Sequence, residues 1–445
     1  MKFSQRAVGL GVTVGLAAGS ALAQSGPPER LLNAVKERAL ALHAAQLSTD
    51  ERIRFYQTLV TTKPEEPRYH NLLALANIQK TRETLDFGYL DRAAGIVLEV
   101  LSGDPANYEA LRLRSQIHLE RHEFRQAAEN SSRLIQRDPQ DPYNYGTLGD
   151  ALIEMGQYDA AADAYQKMVN LSPDLSSYNR ASYYRYLLGD AKGAIEVMKA
   201  AARAGNPAMP ESTAWCLAQL GDLFFKQGDL KQAEEAFNAG LEAFPNHHES
   251  LAGLARVAAA RENIDQAIEY MKRSVAVAPV LDNVALLADY YDLAGKKKQA
   301  EEQWKLVEFI DRLGQVNKEI YNRNLALVYA NHDLRPEKAL QLALRELEVR
   351  GDLYTWDAVA WAYYKNKRYA EAEQAIEKAL KLGTPDPMLH YHAGMIARAA
   401  GRSDEAKKQL ARALELNPRF DARQSRAARS ALEELTRETS RGGGQ

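Results

Sequence analysis

PYNYGTLGDALIEMGQYDAAADAYQKMVNLSP, residues Pro142 to Pro173, is the stretch that decides the fold. Apolar residues recur at helical spacing on both sides of Gly156, which predicts two short helices joined by a tight turn. Gly156 stands where a residue able to take positive φ ends the first helix. Gly149 and Ala161 are small and lie one on each helix, so the two backbones are expected to cross closely there, facing each other. Pro173 has no N–H to extend the second helix and stops it. A single hairpin of this kind cannot bury its apolar face alone. It needs neighbours of its own type.

The neighbours recur at a period near 34. Stepping from Ala161, alanines fall at Ala93, Ala127, Ala194, Ala233, Ala267, Ala300, Ala339, Ala372 and Ala406, each opening a second helix. Twelve residues before most of them stands a small residue: Ser115, Gly149, Ser182, Gly221, Ala255, Ala288, Ala360 and Gly394. Twelve residues after several stands a proline: Pro105, Pro139, Pro173, Pro245, Pro279 and Pro418. Gly189, Gly228, Gly295 and Gly401 repeat the turn position of Gly156. Two intervals are longer and divide the array into four, three and three repeats. One carries AGNPAMPES (204–212), expected to form a turn. The other carries IDRLGQVNK (310–318), expected to lengthen a helix. The copy at Ala93 is expected to have a long link between its helices, from Lys80 to Gly88. The copy at Ala339 has one extra residue after its small position, Ala326.

A 34-residue helix-turn-helix with this register resembles the tetratricopeptide repeat family. Tyr145, Leu148, Gly149, Leu152, Tyr158, Ala161 and Tyr165 match its pattern in the quoted copy. Leu217, Leu220, Gly221, Phe224, Ala233 and Phe237 match it between Ala214 and Pro245, and a third good copy runs from Pro387 to Pro418. The resemblance implies an all-α fold, a right-handed α-solenoid of stacked helix-turn-helix hairpins, with about ten repeats over residues 69–420. Residues 24–68 are expected to form a degenerate helix pair and 421–437 a capping helix. That last helix carries Ala428, Ala431, Leu432 and Leu435 on one side and Arg426, Arg429, Glu433 and Glu434 on the other. Residues 438–445 are expected to be a disordered tail.

The front of the chain reads differently. Lys2 and Arg6 precede an uncharged run, AVGLGVTVGLAAGSALA (Ala7 to Ala23), which ends in an A-x-A site. That layout is a secretory signal peptide over residues 1–23, cleaved after Ala23. It places the mature chain in the periplasm or outside the cell, with no later segment apolar enough to span a membrane. The 445 residues carry Lys+Arg 57 against Asp+Glu 59, so bulk charge gives no reason to expect nucleic acid or an anionic membrane as partner. The single cysteine, Cys216, excludes an internal disulfide and a cysteine-based zinc site. Beside Trp215 it is expected to be a small helix residue.

Catalytic spacing is missing. No HExxH, G-x-S-x-G or GxxxxGK[ST] is present, and the glycines of Gly9 to Gly15 lie inside the leader. His118 and His122 stand four apart with Glu123 adjacent, but His122 occupies a turn position, so solvated histidines are favoured over a metal site. His247–His248 follows Pro245 in a turn, and His390 and His392 point to different faces. The triplets at Asn130 and Asn170 fall in second helices, and Lys296 to Lys298 form a solvated turn. No cofactor, metal or catalytic residue is expected.

The family resemblance implies partner binding on the concave face, lined by the first helix of each repeat. Its positions map to Tyr143, Asp150, Tyr183, Tyr186, Trp215, Asp222 and Phe225, then to Asp289 and Asp292, and further along to Tyr354, Asp357, Trp361, Tyr364, Tyr391 and Met395. The family's carboxylate-clamp ligands are missing, since Glu109, Arg112 and Gln116 stand in the early groove. An aromatic and acidic groove fits a protein or extended peptide carrying Lys or Arg, through charge and cation–π contacts. The expected function is therefore a non-enzymatic exported scaffold. The alternative is a carbohydrate-handling protein of polysaccharide export or cell-envelope assembly, because aromatic faces also stack on sugars. Trp215, Phe225, Trp361 and Tyr364 are expected to keep an accessible edge, whereas Tyr165 and Phe237, on second helices, are expected to be core.

Overall fold

The structure is a computed structural model that describes residues 27–317 and 322–442. The expected leader, the cleavage site before Gln24 and the final three residues lie outside the described range. The described residues contain helices and turns and no strand. The helices run α1 Pro27–Ala45, α2 Thr49–Thr62, α3 Pro67–Thr84, α4 Phe87–Gly103, α5 Tyr108–Glu120, α6 Phe124–Arg137, α7 Pro142–Glu154 and α8 Tyr158–Leu171. Next come α9 Leu175–Leu187, α10 Ala191–Arg203, α11 Pro210–Lys226, α12 Leu230–Ala243, α13 His248–Ala260, α14 Ile264–Val277, α15 Leu281–Leu293 and α16 Lys297–Asn317. The array ends with α17 Asn322–Asn331, α18 Pro336–Leu347, α19 Leu353–Lys365, α20 Tyr369–Leu380, α21 Pro387–Ala399, α22 Ser403–Leu416 and α23 Gln424–Gly442. From α3 to α22 the odd helices are the first of each hairpin and the even ones the second. Each packs on its hairpin partner and on the next repeat, which makes an all-α solenoid.

The register is visible in the burial. All ten spaced alanines are at most 2% exposed, and Ser115, Ser182, Ala255, Ala288, Ala326 and Ala360 are equally buried. At the crossing, Ser182 donates to Ala194 O at 2.7 Å, so the small position meets the alanine there. A β-carbon at Gly149 would overlap the Tyr165 ring, one at Gly221 the Phe237 ring, and one at Gly394 the Leu410 side chain. The glycines also make room for a large residue a turn beyond the alanine, and the Tyr165 ring fills the space a β-carbon would take at Gly149. Gly156, Gly189, Gly228, Gly295 and Gly401 take φ between 73° and 88° in the turns. Where a repeat lacks glycine, His122, Glu262 and Lys367 adopt φ of 58°, 65° and 60° instead.

The unusual repeats resolve by helix extension. The long link expected from Lys80 to Gly88 is only Leu85 and Asp86, because α3 continues to Thr84 through residues with no helix breaker. Residues 310–317 lengthen α16, as expected, and Ala204 to Met209 form the turn before α11. The last helix passes the expected boundary at 437 and reaches Gly442, since no breaker precedes the glycine run. Its stripe of Ala428, Ala431 and Leu435 is buried, which caps the array.

Unanticipated from the repeat pattern is that the coil closes on itself. The last carbonyls of four consecutive first helices, which have no partner within their helix, accept hydrogen bonds from the next superhelical turn. Gly351 N donates to Glu154 O at 2.8 Å. Thr384 Oγ1 donates to Leu187 O and Asn417 Nδ2 to Phe225 O, both at 2.6 Å. Arg419 donates to Ala260 O at 2.6 Å. At Gly156 the approach is so close that a β-carbon would strike the Gly351 carbonyl, and Gly189 meets Gly383 likewise. The seam advances one repeat per step on both sides from Gly351 through Thr384 to Asn417, and Arg419, two residues on, makes the last bond.

Candidate functional site

Closure makes an interior. The first coil encloses an open cavity of about 1400 Å³, lined mainly by α3, α5, α7, α9, α11 and α13 together with the 204–209 turn. These are the first helices of the repeats, whose inner face the tetratricopeptide pattern assigns to the concave side. Tyr143, Tyr183 and Trp215 supply aromatic wall, with Tyr183 38% exposed and Trp215 half-buried. Tyr143 is held in place, its hydroxyl donating to Gln116 and the Arg112 guanidinium stacked 4.4 Å from its ring centre. Burial pushes the Tyr143 phenol up to about 12, so it stays a neutral donor.

Seven carboxylates line the cavity against five cations, and most are matched. Arg180 pairs with Asp150 at 2.6 Å, Lys226 with Asp222 at 3.1 Å, Arg350 with Glu154 at 2.6 Å and Arg82 with Glu211 at 3.2 Å. Arg256 also holds Asp222 at 2.7 Å, and these two cations keep its carboxyl well below the usual range against the opposing effect of burial. Asp174 caps α9 through the Ser177 amide, and Arg52 donates to Thr49. Glu120 and Glu249 are left without a cation of their own. Burial raises both carboxyls, that of Glu249 to about 7, with Glu211 adding to the shift by its charge.

The expected site residues divide into two groups. Tyr143, Asp150, Tyr183, Tyr186, Trp215 and Asp222 come together around the cavity. Tyr186 does so with its ring only 2% exposed and its hydroxyl donating to Pro385 O across the seam. The remaining nine do not line it. Phe225 is 4% exposed, in the core cluster of α11 and α13, with its carbonyl capped by Asn417. Trp361 is 2% exposed, stacked on Tyr364 at 4.6 Å and His392 at 4.1 Å, and its indole N–H donates to Asn331. The accessible edge expected of Phe225 and Trp361 is thus absent, because side chains of their own and neighbouring repeats cover them.

The second half of the array shows the same filling. Asp289 is held by His332 at 3.0 Å and by Arg423 from beyond the last repeat. Asp292 pairs with Lys297 at 3.0 Å. Tyr354 donates to Asp386 at 3.3 Å, while Asp357 pairs with His392 at 2.9 Å in the core. Tyr391 is buried against Phe420 at 5.8 Å, and Met395 and Tyr364 are half-buried against the same cluster. Glu120, Glu211 and Glu249 and the cations Arg82 and Arg180 are cavity residues that sequence reasoning passed over. Arg82 and Glu211 meet only because α3 and α11 converge across the coil, which repeat spacing does not reveal.

Other candidates settle locally. Cys216 is buried, and burial pushes its thiol up to about 12, which suits a packing residue. His118 pairs with Glu123, and His122 lies beyond the end of α5 at positive φ, so the two histidines do not share a helix face. No helix among the described residues is long and apolar enough to cross a membrane.

Residues 118–181 match one family model described as tetratricopeptide repeat, and residues 219–280 and 358–419 match another of the same description. No curated protein matches the chain. Among solved structures, the APC/C hetero-tetramer Cut9-Hcn1 is similar at 17% identity, over 88% of this chain and 68% of that one, with TM-score 0.47. The human IFIT1 dimer with PPP-AAAA is 14% identical over 84% of this chain and 96% of that one, with TM-score 0.44. Yeast Tom70 is 13% identical over 93% and 97%, with TM-score 0.38.

Proposed function

We propose that this chain, built of tetratricopeptide repeats, is a non-enzymatic scaffold that holds an extended protein segment inside its first coil. The observation that carries the proposal is the open cavity of about 1400 Å³, walled by Tyr143, Tyr183 and Trp215 and rich in carboxylates. Aromatic side chains give large contact area for little lost rotamer freedom, and they dominate binding energy where they are accessible. The carboxylates favour a segment bearing Lys or Arg. The polysaccharide alternative has the aromatic wall in its favour, but the ion-paired, acid-rich lining suits a peptide better. Export to the periplasm or beyond is part of the proposal. It rests on Lys2, Arg6 and the uncharged run to Ala23, and finding Gln24 as the first residue of protein from the exported fraction tests it.

Selection of a random-sequence peptide library on the purified chain tests the binding site. Selected peptides should lose roughly tenfold in affinity with Trp215→Ala or Tyr183→Ala, about 1–2 kcal/mol, while helical content stays unchanged. Peptides that bind equally well to both variants would place the site elsewhere.

A further inference from the structure

We propose that the chain associates head to tail with a second copy of itself, the basic turns of its second coil receiving the acidic loops of the other copy's first coil. The internal seam is the template. There the turns inside three hairpins, at Gly156, Gly189 and Gly228, meet later loops between repeats at Gly351, Gly383 and Leu416. The two helices of each hairpin run antiparallel, so the turns all stand on one rim of the coil and the loops on the other. The seam joins the turn after α7 to the loop before α19, that after α9 to the loop before α21, and that after α11 to the loop before α23. By the same spacing the turns after α15, α17, α19 and α21 (294–296, 332–335, 366–368 and 400–402) require loops beyond α23. The loops before α3, α5, α7 and α9 (63–66, 104–107, 138–141 and 172–174) require turns ahead of α1. Among the described residues neither set has such a mate. Gly295 and Gly401 are exposed accordingly, and a β-carbon on either would meet nothing within 4 Å.

Charge makes the two rims complementary. The unmated turns hold Lys296, Arg335, Lys367, Arg368 and Arg402 against one acid, Asp333, while His332 turns inward to Asp289. The unmated loops hold Glu65, Glu66, Asp104, Asp138, Asp141 and Asp174 against one base, Lys63. Both sets advance around the coil in chain order, so each turn faces a loop of opposite charge: 294–296 meets 63–66, 332–335 meets 104–107, 366–368 meets 138–141 and 400–402 meets 172–174. Lys296, Arg335, Arg368 and Arg402 touch Asp265, Glu308, Glu371 and Glu373 of their own copy. Those four cations are 41–49% exposed, and such surface pairs hold weakly enough to exchange for contacts across the rim.

The helix-end position of the loops explains why charge replaces the neutral bonds of the internal seam. Asn417 ends α22 and donates to Phe225 O. The same position is Asp104 after α4 and Asp138 after α6. A carboxylate has no hydrogen to give, so it cannot repeat the Asn417 bond and needs a donor from the facing turn. The turn that Asn417 meets, Gln227 to Asp229, has no cation, whereas each unmated turn has at least one. A head-to-tail contact leaves a basic rim free at one end and an acidic rim at the other, so association continues into an open filament.

Sedimentation of the purified full chain over a wide range of concentration, at about 20 mM and about 300 mM salt, tests the contact. At low salt, species larger than the monomer should grow with concentration, and at high salt they should fall back to monomer. Lys296→Glu plus Lys297→Glu, at a turn whose Lys297 side chain is 75% exposed, should weaken association about tenfold. Glu65→Lys plus Glu66→Lys should do the same, and Glu66 makes no capping bond that the change would remove. Mixed together, the two reversed proteins should assemble again, because each altered rim then finds its opposite charge. Recovery on mixing requires both variants to be folded, and the salt response of the parent needs no variant at all. A parent that stays monomeric at low salt, assemblies that ignore salt or ignore both reversals, or folded variants that stay apart when mixed would overturn the proposal.

Discussion

Gly149 shows how much one atom decides in this fold. The Tyr165 ring occupies the space where a β-carbon would stand, and its hydroxyl continues to Asp150 at 2.9 Å. Gly149→Leu must push the ring out of a packed crossing and should cost about 1–3 kcal/mol or more. Gln157→Leu, exposed in the following turn, should stay within about 0.5 kcal/mol. Equal melting temperatures for the two variants would show that the crossing is not close-packed. Glu249 gives a prediction of a different kind. Its carboxyl rises from an ordinary 4.5 to about 7 in the folded chain. Between those values the folded form keeps a proton that the unfolded chain has released, so the stability contributed by this group falls as pH rises through that window. Glu249→Gln should remove that fall and leave the protein about 1–3 kcal/mol more stable at pH 8. Urea titrations at pH 5 and pH 8 on both proteins measure it.

At the scale of the helices, position within a repeat was legible because it is a local property. Ala161 and its nine equivalents are buried by their own hairpin, so a spacing of 34 suffices to find them. Turn glycines and the prolines after the second helices are local in the same sense. Accessibility on the inner face is not local. Trp215 and Phe225 both stand on α11 at inward register positions, yet Trp215 borders the cavity while Phe225 is 4% exposed in the core shared with α13. Trp361 shares the register and is lost to a stack with Tyr364 and His392. Repeat spacing carries no record of which stretch of groove a later repeat will fill. Phe225→Ala and Trp361→Ala should therefore cost about 3–5 kcal/mol of stability, as large core truncations do. Trp215→Ala and Tyr183→Ala should stay within about 1 kcal/mol, because their rings keep contact with open space. Unfolding curves for the four variants separate the groups, and four equal losses would dissolve the division between wall and core.

At the scale of the molecule, the seam changes what kind of object the solenoid is. An array whose repeats touch only their neighbours melts in steps and stretches easily. Here Tyr158 accepts from Leu353 N 195 residues away, Thr384 reaches Leu187 across 197, and Asn417 reaches Phe225 across 192. Each of these donors is a neutral group, and Thr384 and Asn417 are each 1% exposed. Salt should accordingly leave these three bonds intact, since screening acts on exposed charge and not on buried neutral hydrogen bonds, and should weaken only the charged contacts across the seam, such as Lys226 with Asp386 at 3.1 Å. Removing the donors should open the coil. Thr384→Val and Arg419→Ala strand the carbonyls of Leu187 and Ala260, at about 1–3 kcal/mol each where the group stays buried, and Asn417→Ala leaves Phe225 O with backbone amides of its own turn alone. Letting the turns part and water reach those carbonyls relieves that penalty, so the expected response is expansion. Small-angle scattering should report a larger radius of gyration for the triple variant than for the parent, with far-UV circular dichroism unchanged. The parent should unfold in one transition and the variant in two, the first coil separating from the second. A triple variant as compact as the parent, melting in a single step, would mean that the turns are held by apolar contact and that the hydrogen-bonded seam merely follows.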